Sequence, residues 1–526
     1  MSGLKKKSRL FGYLPFYLYL CKLANQYEST LKAIAINKEA TFSKLMKRLL
    51  IIVTILLTGL PASARKKADA PTLYIYRYTL ADKKGTPYSV KHPEQFLSPK
   101  AIERRRRQGL AVNETDLPVS PRYLRQFQVE GAEVVGNSRW QNSVIVRSAD
   151  TLLLQRLGQL ACVKEWRCVW TTPKEDEEKK AGEDVEWIVN KPFHEWDSVK
   201  AEFYGGARQQ IQMLNGHMLH QAGFRGEGMT IAILDGGFQN YDRIPALQHA
   251  RVLGTKNFVA GEPASPERQP KAGRDHSFHA IDHGTKVFSA MAAYAPEVIV
   301  GTAPDACYWL LRSEDNNSEQ QVEEDYWTMA AEYADSVGVD VINSSLGYYE
   351  YDEGWGSYRL RDLDGQTAFV SRSASMLACK GIILCNSAGN SGMGQWKKIG
   401  VPADARDILT VGAVTESGKI ASFSSVGPSQ DGRMKPDVVA LGASATVLSG
   451  KGGVNHDMGT SFSTPITCGL VACLWQSLPG KTAPEIMELV RQSADQYDMP
   501  NNIFGYGLPN FWKAYQSGLR PNKHYE

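Results

Sequence analysis

Several features that would each set the class of this 526-residue chain are missing from it. Its clearest apolar run, Leu49–Leu57, falls well short of the roughly 20 residues that a spanning helix needs. Charge of one sign is lacking: 60 Lys and Arg against 56 Asp and Glu leave a net +4. No basic patch interleaved with aromatics occurs, so nucleic-acid binding has no support. Cysteine is sparse, at eight residues. Removal of a leader containing Cys21 leaves an odd number, which cannot all pair within one chain. Cys162 and Cys168 bracket one expected strand at an even spacing and face the same side of it, so a bridge between them is not expected. There is no HExxH motif, no internal repeat and no long low-complexity tract. With 43% hydrophobic and 22% charged residues the composition is that of ordinary globular protein, and the length suits two or three domains.

What is present begins with an address. MKRLLIIVTILLTGLPASARKK, from Met46, has a basic start, a short apolar run and small residues at Ala62 and Ala64, the pattern of a secretory signal cleaved after Ala64. Residues 1–45 form an upstream extension, and translation from Met46 is the expected start, with Leu10–Cys21 as an alternative weak hydrophobic anchor. No cysteine sits at the cleavage point to carry a lipid. The expected location is outside the cytoplasm, extracellular or in the periplasm and cell envelope, with no permanent membrane span.

Three segments carry the chemistry. GMTIAIL ends in Asp235 and reads as a buried parallel strand, which would fix a carboxylate in the crevice where open α/β sheets place their sites. His283 in DHGTKVFSAMAA and Ser461 in GTSFSTP each precede small and apolar residues at helical spacing, so both are expected at helix starts. A serine hydroxyl is a poor nucleophile at neutral pH. It needs a base within hydrogen-bond reach, imidazole has the suitable pKa, and a carboxylate can hold that imidazole in one tautomer. The chain order Asp, His, Ser separates this set from the His-Asp-Ser and Ser-Asp-His orders of two other hydrolase classes.

Four more segments join them: GIILCNSAGNSG (Gly381–Gly392), VINSSLG (Val341–Gly347), ASFSSVGP (Ala421–Pro428) and KPDVVALG (Lys435–Gly442). With these the chain resembles the subtilisin-like serine proteases from about Gly226 to Leu508. The resemblance implies an α/β fold, a parallel sheet with helices on both faces, and peptide-bond hydrolysis by Asp235, His283 and Ser461. It implies that Asn390 and the Ser461 amide form the oxyanion hole, that Ser345, Leu346 and Gly347 pair with bound peptide, and that Gly400 lies at the base of a roomy first subsite. Its departures are Lys286 where the family usually has a second histidine, Asp235-Gly236-Gly237, and Phe462-Ser463 after the serine. None removes a catalytic atom. YYEYDEGWGSY (Tyr348–Tyr358) reads equally as a rim of outer subsites or as an exposed loop. No cofactor is assigned. Calcium, which many members of the family bind, stays open, because no acidic loop here matches their sites.

One alternative is a metal-dependent hydrolase built on His276, His279 and His283 in RDHSFHAIDHG, since imidazole is the right ligand type. It leaves the serine and asparagine segments unexplained.

Ahead of the protease, the expected order is a strand at 72–80, helices at 98–108 and 121–129, strands at 132–136 and 143–147, a helix at 150–157 and a strand near 161–170. This is the split-βαβ, ferredoxin-like arrangement of an α+β domain. In the resembled family such a domain is a prodomain, an intramolecular inhibitor whose tail crosses the active site. The run Arg104–Arg107 is expected to be a solvated helix face, as charge runs usually are, with a processing site as the alternative. The expected divisions are 1–45, 46–64 for the signal, 65–171 for the prodomain, 172–204 for a charged linker, and 205–526 for the protease. The processing cut is expected within 190–208, where Gly205-Gly206 would allow an extended chain.

Overall fold

The computed structural model describes residues 72–173, 201–259, 281–352 and 354–520. The leader, most of the charged linker, and His276 and His279 lie outside them.

The N-terminal domain is a four-stranded antiparallel sheet of β1 (Tyr74–Leu80), β2 (Glu133–Ser138), β3 (Ser143–Ser148) and β4 (Val163–Thr171), in the order β2-β3-β1-β4. Its helices are α1 (Pro99–Arg107), α2 (Pro121–Phe127) and α3 (Thr151–Leu157). They begin where the sequence supplies caps. Ser98 accepts the Ala101 N–H ahead of Pro99, and Asp150 accepts the N–H groups of Leu152 and Leu153. The strand alternation then sorts two faces. Tyr78, Val144 and Val146 pack with Phe127, Leu154 and Leu157 of the domain's own helices. Ile75, Ile145 and Val169 pack instead on Val322 and Tyr326 of the next domain.

That next domain is built on a seven-stranded parallel sheet. Its strands are β5 (Thr230–Asp235), β6 (Arg251–Asn257), β7 (Cys307–Arg312), β8 (Val341–Ser344), β9 (Ile383–Ser387), β10 (Leu409–Val414) and β11 (Val438–Leu441), in the order β11-β10-β9-β8-β5-β7-β6. The strands are apolar on both sides because both sides are covered. Ile231, Ile233, Val341, Ile383 and Val411 face the layer of α4 (His283–Ala292) and α6 (Thr460–Ser477), whereas Ala232, Leu234, Ile342 and Leu384 face α5 (Val322–Val337). The fold is the expected α/β architecture preceded by the expected α+β domain.

The expectation of a solvated arginine face is corrected. Arg104 and Arg105 are buried. Arg104 reaches Asp335 on α5 and donates to Val339 O at 2.6 Å, while Arg105 meets Asp335 at 2.9 Å and Asp116 at 3.0 Å. Only Arg106 and Arg107 face water. The residues favoured for a processing cut are corrected at one end as well. Phe203, Tyr204 and Ala207 belong to the protease core, and a Cβ on Gly205 would lie 2.2 Å from Val298 O. Gly205-Gly206 therefore serve a close backbone approach and do not open the chain into an extended, accessible stretch.

Candidate active site

The carboxyl ends of β5, β8 and β9 open onto one cavity of about 280 Å³, lined by Asp235, His283, Ser345, Gly347, Asn390 and Ser461 among others. Asp235 ends β5 and is fully buried. Its Oδ1 accepts from Gly236 N–H at 2.8 Å, and the carboxylate faces His283 Nδ1 at 2.9 and 3.0 Å. His283 is the first residue of α4, with its side chain 34% exposed toward the cavity. Burial works against a charged imidazole, but the Asp235 carboxylate outweighs it and Glu314 adds to the effect, so the His283 pKa is pushed up to about 8.

Ser461 is the second residue of α6. Its Oγ donates to Ser345 O at 3.3 Å and not to the imidazole in this arrangement. Hydrogen bonds between nucleophile and base are often long or misaligned in unliganded sites. Pro465, four residues on, has no N–H to give to the Ser461 carbonyl, and the Ser345 hydroxyl donates to that carbonyl instead, at 2.8 Å. The same serine thus ties the end of β8 to the start of α6.

Asn390 follows Gly389, whose φ of +105° suits glycine. Its Oδ1 accepts from Thr460 N–H at 2.9 Å and from Thr460 Oγ1 at 3.0 Å, which fixes the amide so that Nδ2 is the group left for the cavity. Leu346 O accepts from Asn386 Nδ2 at 3.2 Å and Ser387 Oγ at 3.3 Å, and Tyr348 exchanges main-chain hydrogen bonds with Val401. Gly347, between them, is exposed on the cavity wall. Gly400 also lines the cavity, but its missing side chain does not simply leave room. A Cβ there would lie 2.8 Å from Tyr348 O, so the glycine is required by the approach of the neighbouring chain.

All eight residues singled out from the sequence meet at this cavity. The metal alternative gains nothing: His276 and His279 are not among the described residues, His283 Nδ1 is engaged by Asp235, and no group of three His, Cys, Asp or Glu among the described residues could hold a metal ion. Sequence reasoning missed Glu314 and Glu319, which also line the cavity. Their signal was present. Glu314 stands two residues past β7, the strand beside β5, just as Asp235 closes β5 itself.

Comparison with known proteins bears on the same residues. The model of the subtilase family, Peptidase_S8, matches residues 226–507, and that of the Peptidase S8 propeptide domain of Bacteroidota matches residues 76–183. Subtilisin NAT of Bacillus subtilis subsp. natto is 28% identical over 344 residues, covering 64% of this chain and 79% of its own. Subtilisin of Bacillus pumilus is 28% identical over 311 residues, covering 58% and 98%. Among solved structures, the prenylagaramide maturation protease PagA aligns at 21% identity with a TM-score of 0.43, over 58% of this chain and 98% of its own.

Proposed function

Because the chain belongs to the subtilase family of serine-type peptidases, we propose that it is an exported endopeptidase working through an acyl-enzyme at Ser461. The observation that carries this reading is the buried Asp235 carboxylate against His283 Nδ1 in the cavity that also holds Ser461. Ser461 Oγ attacks the carbonyl, and His283 takes its proton and returns it to the leaving amine. Asp235 holds the tautomer and stabilises the imidazolium. The Asn390 amide and the Ser461 N–H receive the oxyanion. Substrate pairs as an added strand along Ser345, Leu346 and Gly347.

The N-terminal domain is proposed to be the chain's own inhibitor, with a peptide tail leading from β4 to the cleft. In support, Gln320 clasps the Thr171 main chain at the end of β4, accepting from its N–H at 2.8 Å and donating to its carbonyl at 3.0 Å. Residues of the segment that follows Gln320's neighbour Glu319 backwards to β7 line the cavity. Export rests on the signal pattern at Met46–Ala64.

The test is a pair of variants. Ser461→Ala should abolish peptide hydrolysis and leave the precursor at full length, whereas the native chain should release a fragment carrying Asp235, His283 and Ser461. Asn390→Ala should lower kcat with little change in KM, by roughly a hundred- to a thousand-fold, a magnitude borrowed from subtilisin itself. Unchanged proteolysis by Ser461→Ala would remove the serine mechanism.

A further inference from the structure

The cavity that holds Ser461 has an acidic wall. Glu314 lines it beside Asp235, His283 and Gly347. Glu319 lines it too, and continues into a second cavity of about 430 Å³ with Gly347, Tyr349, Glu350 and Asp352. Behind them stands Glu323, in the first turn of α5 and only 1% exposed. Its Oε1 accepts the Asp315 N–H at 2.9 Å, and its Oε2 is buried with no partner. No lysine or arginine among the described residues is ion-paired with Glu314, Glu319 or Glu323.

Asp335 and Asp437, buried elsewhere in the chain, have cations against them, Arg104 and Lys435, and buried Glu324 is met by the hydroxyls of Tyr351 and Tyr358. Here burial comes first and like charge second: together they hold Glu314, Glu319 and Glu323 above the usual carboxylate range. Such a group is relieved by a proton or by a cation that enters with a ligand. A metal ion fits poorly, since no three acidic or imidazole groups among the described residues are placed to hold one. Asp315 is also already committed, to Asn317 and Ser318. What enters this cavity is peptide.

Resting on the endopeptidase reading above, we propose that Glu314 and Glu319 select an arginine or lysine side chain at the second or fourth residue upstream of the scissile bond. Side chains of an extended peptide alternate in direction, so with the first residue turned toward Gly400, the second and fourth share one wall. Glu314 and Glu319 line the cavity that holds His283, and Glu319 also lines the second cavity with Glu350 and Asp352. Gln320, adjacent to Glu319, already clasps extended main chain in both directions, at Thr171.

The experiment uses the full chain, expressed and allowed to mature, with active sites counted by a phosphonylating reagent. Internally quenched peptides carry arginine, lysine or the neutral norleucine at the second and at the fourth upstream position, one change at a time. The readout is the ratio of kcat/KM for the basic peptide to that for its norleucine twin. It should exceed about tenfold at one position or both, the factor that one charge-assisted hydrogen bond supplies. In the double variant Glu314→Gln/Glu319→Gln that ratio should fall to about one, whatever happens to the absolute rates. A native ratio near one, or a ratio untouched in the double variant, would overturn the proposal. Failure of the underlying reading looks different: no active sites would be titrated and no peptide would be cut.

Discussion

Beneath the site, Ile231, Ile233 and Ile383 face one helical layer and Leu234, Ile342 and Leu384 the other. Where the N-terminal domain meets α5, Arg77, Arg104, Arg105 and Arg139 meet Asp325, Glu332 and Asp335. The first region holds by removing apolar surface from water, which is non-directional and permanent. The second adds to the apolar patch of Ile75, Ile145 and Val169 on Val322 and Tyr326 a set of matched buried charges, whose attraction is largely offset by desolvation but whose separation one partner at a time is costly. A surface of this second kind can be left behind. If the N-terminal domain is released as proposed, α5 presents carboxylates that water solvates well beside the apolar patch of Val322 and Tyr326.

The largest effect should come from Asp335→Ala, which strips one carboxylate from three guanidinium groups at once. Removing one member of a buried pair costs about 3–5 kcal/mol, so the inhibition constant of the separated N-terminal domain against the mature protease should rise by a hundredfold or more. The Tm of the mature protease alone should change far less.

Leu384→Ala should do the reverse. It opens a cavity in the sheet at a cost of about 2–5 kcal/mol, and urea unfolding should show that loss in precursor and mature enzyme alike. A loss confined to the precursor would erase the distinction between the regions.

The two regions should also separate by pH. His283 must be neutral to act as base and is pushed up to about 8, so kcat/KM should climb about tenfold per unit below that value and level off above it. Asp335 behaves oppositely. Burial alone would raise it, but Arg104, Arg105 and Arg139 outweigh burial and hold it down at about 2. A depressed carboxylate contributes stability that is complete above its unpaired value and lost only as pH falls toward 2. Docking measured by the inhibition constant should therefore keep the full contribution of Asp335, with no pH dependence from it, across the window in which activity rises.

The smallest effect belongs to Arg106→Ala, at an exposed pair with Glu103, which should leave the inhibition constant unchanged.

Local signals made much of this legible. An apolar run ending in Asp235 places a carboxylate at a strand end, and helical spacing after His283 and Ser461 places both at helix starts; the structure has all three there. The order of strands and helices in the N-terminal domain was legible too, and Ser98 and Asp150, where two helices were expected to begin, cap them. What stayed hidden depends on partners far away in the chain. Arg104 and Arg105 read as a solvated face because Asp335 lies more than two hundred residues on. Gly400 read as room for a side chain, although the Tyr348 carbonyl claims the space. Glu314, Glu319 and Glu323 drew no reading from the sequence, because only the fold brings their charges together.

The central claim is that Ser461 is the nucleophile, activated by His283. Its most direct test is to treat the matured enzyme with a phosphonylating reagent at pH 8 and at pH 6, digest it, and locate the adduct by mass spectrometry. The account predicts a single adduct on Ser461, formed markedly faster at pH 8 and absent in His283→Ala at the same exposure. An adduct elsewhere accompanied by loss of activity, or full inhibition by the reagent with Ser461 unmodified, would contradict it.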